Sequence, residues 1–175
     1  MEHKIIEEKI IFSGHKDKDI IRSKLQLPDG KIVEWDVYGG YNIVFAATVK
    51  DGFAYMTKEW RLGPCTYLTQ FTGARFPFNQ KENLSELQRE VKEELGIVGG
   101  KYTKLISYAK GTHMRGNDVY YLVTDFEITD KTNRDPDEYQ EMIKLPIKGL
   151  FNELKNNNVT TTGTLLVAKL LEEML

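Results

Sequence analysis

Residues 83–97, NLSELQREVKEELGI, leave less conformational choice than any other stretch of this chain. Asn83 is a good N-cap, and Glu86 three positions later supplies the other half of a capping box. Nothing interrupts the run until Gly96, placed where a helix ends in a left-handed residue. At about 100° per residue, Leu84, Leu87, Val91 and Leu95 share one stripe, while Glu86, Glu90, Glu93 and Glu94 share another. The apolar stripe must pack on a core. The acidic one works against the helix, because like charges four apart cost roughly 0.2–0.5 kcal/mol per pair. Glu93 and Glu94 also sit in the last turn, where the helix dipole favours cations. Arg89 and Lys92 flank the acids and offset part of this.

Two readings of that acidic stripe compete. One is a solvated charged face. The other is a site for a hard divalent cation, which takes a few carboxylates and leaves the remaining positions to water and substrate phosphate.

The chain around the helix is rich in β signals. Residues 8–38 read as a small antiparallel sheet, with Pro28-Asp29-Gly30 as a turn. That piece is too small to be stable alone, so it must pack on the rest of the chain or on a second copy. Gly39-Gly40 is the expected junction, dividing a subdomain of residues 1–38 from a main domain of residues 39–175. Residues 41–49, YNIVFAATV, are nearly all apolar, as a strand buried on both faces would be. Asp51-Gly52 marks a hairpin, with residues 53–60 as the returning strand.

Further strands are expected over 67–72, 101–109, 119–128 and 142–145. Loops are expected over 75–82 and 110–118, and Gly99-Gly100 is read as a break. Helices are expected over 147–155 and 164–175, the latter burying Leu166, Leu170 and Met174. Trp60 fits core packing or a wall for a base or ribose, and His113 reads as a surface residue. This order of elements predicts an α+β fold, an α/β/α sandwich with a mixed sheet, plus the small N-terminal antiparallel sheet.

Composition narrows the function. A formal net charge of -2 gives no reason to expect a nucleic-acid backbone as partner. The single Cys65 excludes an internal disulfide, fits a cytoplasmic setting and is expected to be a small, partly buried side chain. The first ten residues are too charged for a signal peptide, and no apolar run is long enough to span a membrane.

The spacing Arg89-Glu90-Val91-Lys92-Glu93-Glu94-Leu95-Gly96-Ile97 resembles the second half of the Nudix box, with every specified position filled. The first half is degenerate: Gln70-Phe71-Thr72-Gly73-Ala74 stands where the family has Glu-apolar-Pro-Ala-Gly. The box glutamate falls on Gln80 or Lys81, depending on the direction of counting, with Glu82 as a substitute after a shift. The strand-rich start, the strand ending Glu59-Trp60-Arg61 and the late acidic loop ending Asp137-Glu138 resemble the ADP-ribose pyrophosphatase branch.

This resemblance implies a hydrolase, dependent on Mg2+ with Mn2+ as a substitute. It would cleave a nucleoside diphosphate linked to another moiety, ADP-ribose or a nucleotide sugar. It implies Glu90, Glu93 and Glu94 as metal ligands together with the carbonyl of Gly73, and Arg61 and Trp60 against the substrate. Glu138, or a helix acid such as Glu93 or Glu94, would take the proton from water. Arg89 would orient a box glutamate, Glu141 would be a structural residue, and the chain would form a homodimer through its N-terminal sheet. Two rival readings stand beside it: an inactive Nudix-like domain that senses a nucleotide or binds a protein, and a plain interaction module with a solvated acidic helix.

Overall fold

A computed structural model describes residues 2–14, 19–78, 80–129 and 140–175. Two compact units divide the chain. The first takes residues 1–43, 75–81 and 107–118, and the second takes residues 44–74, 82–106 and 119–175. The fold is mixed α+β, with a three-stranded sheet, a seven-stranded mixed sheet and, among the described residues, three helices.

The first unit carries strands β1 (Lys4–Ser13), β2 (Asp19–Gln26) and β3 (Ile32–Gly39), antiparallel in that order. The Leu27–Lys31 turn closes β2 onto β3 with a 2.9 Å bond from the Gly30 amide to the Leu27 carbonyl. A bidentate pair from Arg22 to Asp36, at 2.7 and 2.8 Å, crosses the same two strands. β1 is exposed along its whole length, including Ile5, Ile10 and Phe12. The residues around 113 belong to this unit as well: the Tyr38 amide donates to the His113 carbonyl at 2.8 Å, and the His113 ring is exposed.

The seven-stranded sheet, most of whose residues belong to the second unit, is built on strand β4 (Tyr41–Lys50) and its hairpin partner β5 (Phe53–Arg61). Both turn residues, Asp51 and Gly52, have positive φ, at 52° and 76°. This is the turn whose twist matches that of the strands it joins. It fixes the pairs Lys50–Phe53, Val49–Ala54 and Thr48–Tyr55. The other strands are β6 (Thr66–Gln70), β7 (Thr72–Pro77), β8 (Ile97–Ala109), β9 (Asn117–Ile128) and β10 (Gln140–Pro146). The order is β10-β5-β4-β9-β8, with β6 paired to β5 and β7 to β4. The core includes Val44, Ala46, Met56, Phe71, Val123 and three helices' apolar stripes, all essentially inaccessible.

Helix α1 spans Leu84–Leu95, capped by Asn83 at one end and by Gly96 in the left-handed region at the other. Leu87, Val91 and Leu95 are buried, whereas Leu84 at the first turn is only partly so. Helices α2 (Leu150–Asn157) and α3 (Thr162–Met174) follow β10 and pack on each other.

Several sequence expectations are corrected. Gly99-Gly100 does not break the chain, because β8 starts at Ile97 and runs through both residues with φ of 71° and 98°. Glycine is needed there: a Cβ on Gly100 would sit 3.0 Å from the Thr124 carbonyl. The loop expected from Arg75 is strand as far as Pro77. α3 buries Thr164, Val167, Ala168 and Leu171, while Leu166 and Met174 are exposed. A count of large apolar residues missed this stripe because two of its four members are Thr and Ala. Cys65 is exposed with φ 50°, and Trp60 is surface rather than core, at 44% exposure.

Candidate active site

The acidic stripe of α1 splits into two environments. On the outer side, Arg89 gathers three carboxylates, donating to Glu86 at 3.1 Å and to Glu90 and Glu93 as well. Helical geometry sets this up, since residues three and four apart are neighbours on the surface. Arg89 is thus paired with glutamates of its own helix. Glu86 is engaged there in a lateral pair with Arg89.

Glu94 points elsewhere. α1 packs against β5 and β10, and Glu94 is largely buried there, facing the side chains of Thr72 and Gln140 and the charges of Glu90 and Glu59. Burial pushes its carboxyl up to about 7; the polar side chains of Thr72 and Gln140 pull the other way, and Glu90 and Glu59 add repulsion. An acid normally at 4.5 is thus brought into the neutral range, a behaviour that clusters at functional sites.

Glu59 is the residue that the sequence reading missed as a site member. It lies on β5 opposite Gln140 on β10 and is only 7% exposed. Alternation could not have found it, because Ala54 and Met56, in phase with Lys58 and Trp60, are buried as fully as Tyr55 and Thr57. Gln140 and Thr72 carry no signal either, because their roles depend on which strands the sheet places side by side. Arg61 is held by Glu59 at 2.6 Å. Trp60, its neighbour on the opposite face of β5, remains exposed.

Gly73 lies in β7 where that strand passes closest to β4. A Cβ there would fall 2.7 and 2.9 Å from the Phe45 ring and 3.1 Å from the Val44 carbonyl. Its place in the sequence pattern is therefore also a packing requirement. Glu82, the substitute box glutamate, is committed to structure: it accepts from Lys104 at 2.7 Å and from the Tyr121 hydroxyl. Gln80 and Lys81 are exposed. Glu141 lies on β10 opposite Lys58, with their charges 3.6 Å apart. Glu138 lies outside the described residues.

Three carboxylates, Glu94, Glu90 and Glu59, repel one another around this largely buried place. Such a set suits a hard divalent cation, which removes that repulsion. Among the described residues, no three acidic, histidine or cysteine side chains already converge on one point. Arg89 accounts for part of this by holding Glu90 and Glu93.

No protein-family model matches the chain, and no curated protein matches it. Among solved structures, it is similar to the crystal structure of an ADP compounds hydrolase. The TM-score is 0.80 and the identity 14%, over 99% of this chain and 94% of that one. Also among the described residues, no helix is long and apolar enough to cross a membrane. At that identity the likeness concerns the fold alone: the mixed sheet and three helices match the fold of that hydrolase.

Proposed function

We propose that this chain hydrolyses the pyrophosphate bond of ADP-linked compounds, and more narrowly that it is a cytoplasmic, magnesium-dependent enzyme acting on ADP-ribose or a nucleotide sugar. The observation that carries this reading is Glu94, a largely buried carboxyl held near neutral pKa beside Glu59 and Glu90. The likeness in fold to an ADP compounds hydrolase supports it, as does the spacing of Arg89 through Ile97.

Glu94, Glu90 and Glu93 would hold the ion, with Glu59 behind them and the carbonyl of Gly73 completing the set. The chemistry such an ion supplies when bound is neutralisation of the diphosphate and a lowered pKa for water. The polar side chains of Thr72 and Gln140 favour the charged form of the Glu94 carboxyl. Arg89 keeps Glu90 and Glu93 in register on the helix face. With no ion bound, burial raises the affinity of Glu94 for a proton into the neutral range. Arg61, positioned by Glu59, has the guanidinium geometry for phosphate. Glu138 keeps its place in this reading on sequence grounds alone.

A panel of nucleoside diphosphate derivatives, each with and without magnesium, tests the reading. Release of AMP from ADP-ribose only with the metal is the expected result. No release from any member of the panel rejects it. The second reading, a nucleotide sensor, draws on the hold of Arg89 over Glu90 and Glu93 and on the degenerate first half of the box. Calorimetric binding of ADP-ribose without turnover would favour it. For assembly we propose a homodimer through the exposed β1, whose apolar residues Ile5, Ile6, Ile10 and Phe12 have no cover within the chain's described residues.

A further inference from the structure

A cavity of about 300 Å3, lined by Lys58, Tyr67, Gln140 and Glu141, lies in the second unit. Its walls come from three neighbouring strands, β6, β5 and β10. Trp60 stands directly opposite Tyr67, and Glu141 directly opposite Lys58. Alternation along β5 puts Lys58 and Trp60 on one face and Glu59 on the other. Trp60 and Tyr67 are 44% and 48% exposed, an open cross-strand pair of aromatic rings. The Lys58 ammonium lies 5.9 Å from the centre of the Tyr67 ring and 3.6 Å from Glu141. Gln140, at the margin of this cavity, pairs with Glu59 on β5, whereas Glu141 pairs with Lys58.

This combination has a specific chemistry. Flat π surfaces offer stacking to any planar heteroaromatic ring. The carboxylate of Glu141 accepts hydrogen bonds and repels a carbonyl. Lys58 adds one cation beside it. A cavity of this size is at the lower end of the range for small-molecule sites.

We propose that the cavity is a nucleobase subsite, taking an aromatic base that bears an exocyclic amino group, adenine rather than hypoxanthine. Tyr67 and Trp60 stack the ring, and Glu141 accepts from the amino group. That this base belongs to a substrate cleaved at Glu94 rests on the hydrolase reading; that the cavity binds it does not.

The test uses the full chain. Trp35 and Trp60 are the two tryptophans, so Trp35→Phe leaves Trp60 as the sole reporter. AMP and IMP are titrated without metal while Trp60 emission is followed. Saturable quenching by AMP is expected, with IMP binding roughly tenfold more weakly for want of one hydrogen bond to a charged group. Adding Tyr67→Ala should weaken AMP by about 10- to 100-fold, the usual worth of one stacking ring. Tyr67→Phe should keep the affinity, and Glu141→Gln should bring AMP and IMP together. An emission unmoved by AMP, or equal AMP affinity in Tyr67→Ala and its parent, overturns the subsite. Should Tyr67→Ala fail to fold, an unchanged AMP-to-IMP ratio in Glu141→Gln overturns it instead. A parallel assay of AMP release from ADP-ribose with magnesium separates the two ideas. Turnover with KM unmoved by Tyr67→Phe, Tyr67→Ala and Glu141→Gln removes the subsite and keeps the hydrolase. AMP quenching that depends on Tyr67 without turnover removes the hydrolase and keeps the subsite.

Discussion

Replacing Glu94 by glutamine should make the metal-free protein more stable at pH 8 and leave its stability near pH 4.5 almost unchanged. Glu94 sits at about 7 in the folded chain against an ordinary value of 4.5. Between those limits the folded state binds more protons at this position than the unfolded state does. Stability from this group is therefore fully present below about 4.5 and is lost as the pH rises through about 7. A difference of that size corresponds to roughly 3 kcal/mol, at 1.36 kcal/mol per pKa unit. Glutamine keeps the size of the side chain and an oxygen for the Thr72 hydroxyl, and it cannot ionise. The assay is urea denaturation from pH 4.5 to 8 in the presence of a chelator, for both proteins. Asp118, raised chiefly by burial, and Glu82, held below the usual range by its bonds to Lys104 and Tyr121 against burial, also titrate in acid. The difference between the two curves isolates Glu94. A stability gap that does not widen with pH would refute the burial of this carboxyl between α1 and the sheet.

The same Glu94→Gln protein should lose magnesium-dependent AMP release by at least 10²-fold while folding normally; wild-type turnover would show that Glu94 is not in the site. Gly73→Ala should destabilise by about 1–3 kcal/mol in a thermal melt, because its Cβ meets Phe45 and the Val44 carbonyl; an unchanged melt would mean that β7 gives way at no cost. Full-length protein should sediment as a dimer at micromolar concentration. Ile10→Glu combined with Phe12→Glu on the exposed β1 should shift it to monomer, and a wild-type monomer would reject the dimer.

The sequence revealed most of the fold wherever local chemistry dominates. The ends of α1, the Asp51-Gly52 turn and the Pro28-Asp29-Gly30 turn are decided within a few residues and lie where expected, although Asn83 caps the Ser85 amide and Glu86 pairs with Arg89 instead of completing a capping box. Long-range terms decided the rest. Gly99 and Gly100 read as a break because each favours positive φ, yet pairing to β9 holds them inside a strand. The α3 stripe was misread because Thr164 and Ala168 owe their burial to the neighbours that close over them, which local hydropathy does not count.

The candidate site divides along the same line. Glu90, Glu93, Glu94 and Arg89 are brought together by helical periodicity, which a sequence shows directly. The distinction between them is tertiary. Glu93 and Glu94 are adjacent in sequence and about 100° apart around the axis, so one turns to Arg89 and the other to the sheet. Which of the two meets Glu59 and Gln140 depends on where β5 and β10 run beneath the helix, and their pairing of Glu59 with Gln140 joins residues far apart in the chain. That pairing supplies Glu94 with one of its polar neighbours and one of its repelling charges, β7 supplies Thr72, and its seclusion from water requires the sheet as well. The helix alone gives a row of acids in water; the sheet turns one of them into a carboxyl that changes charge near neutral pH.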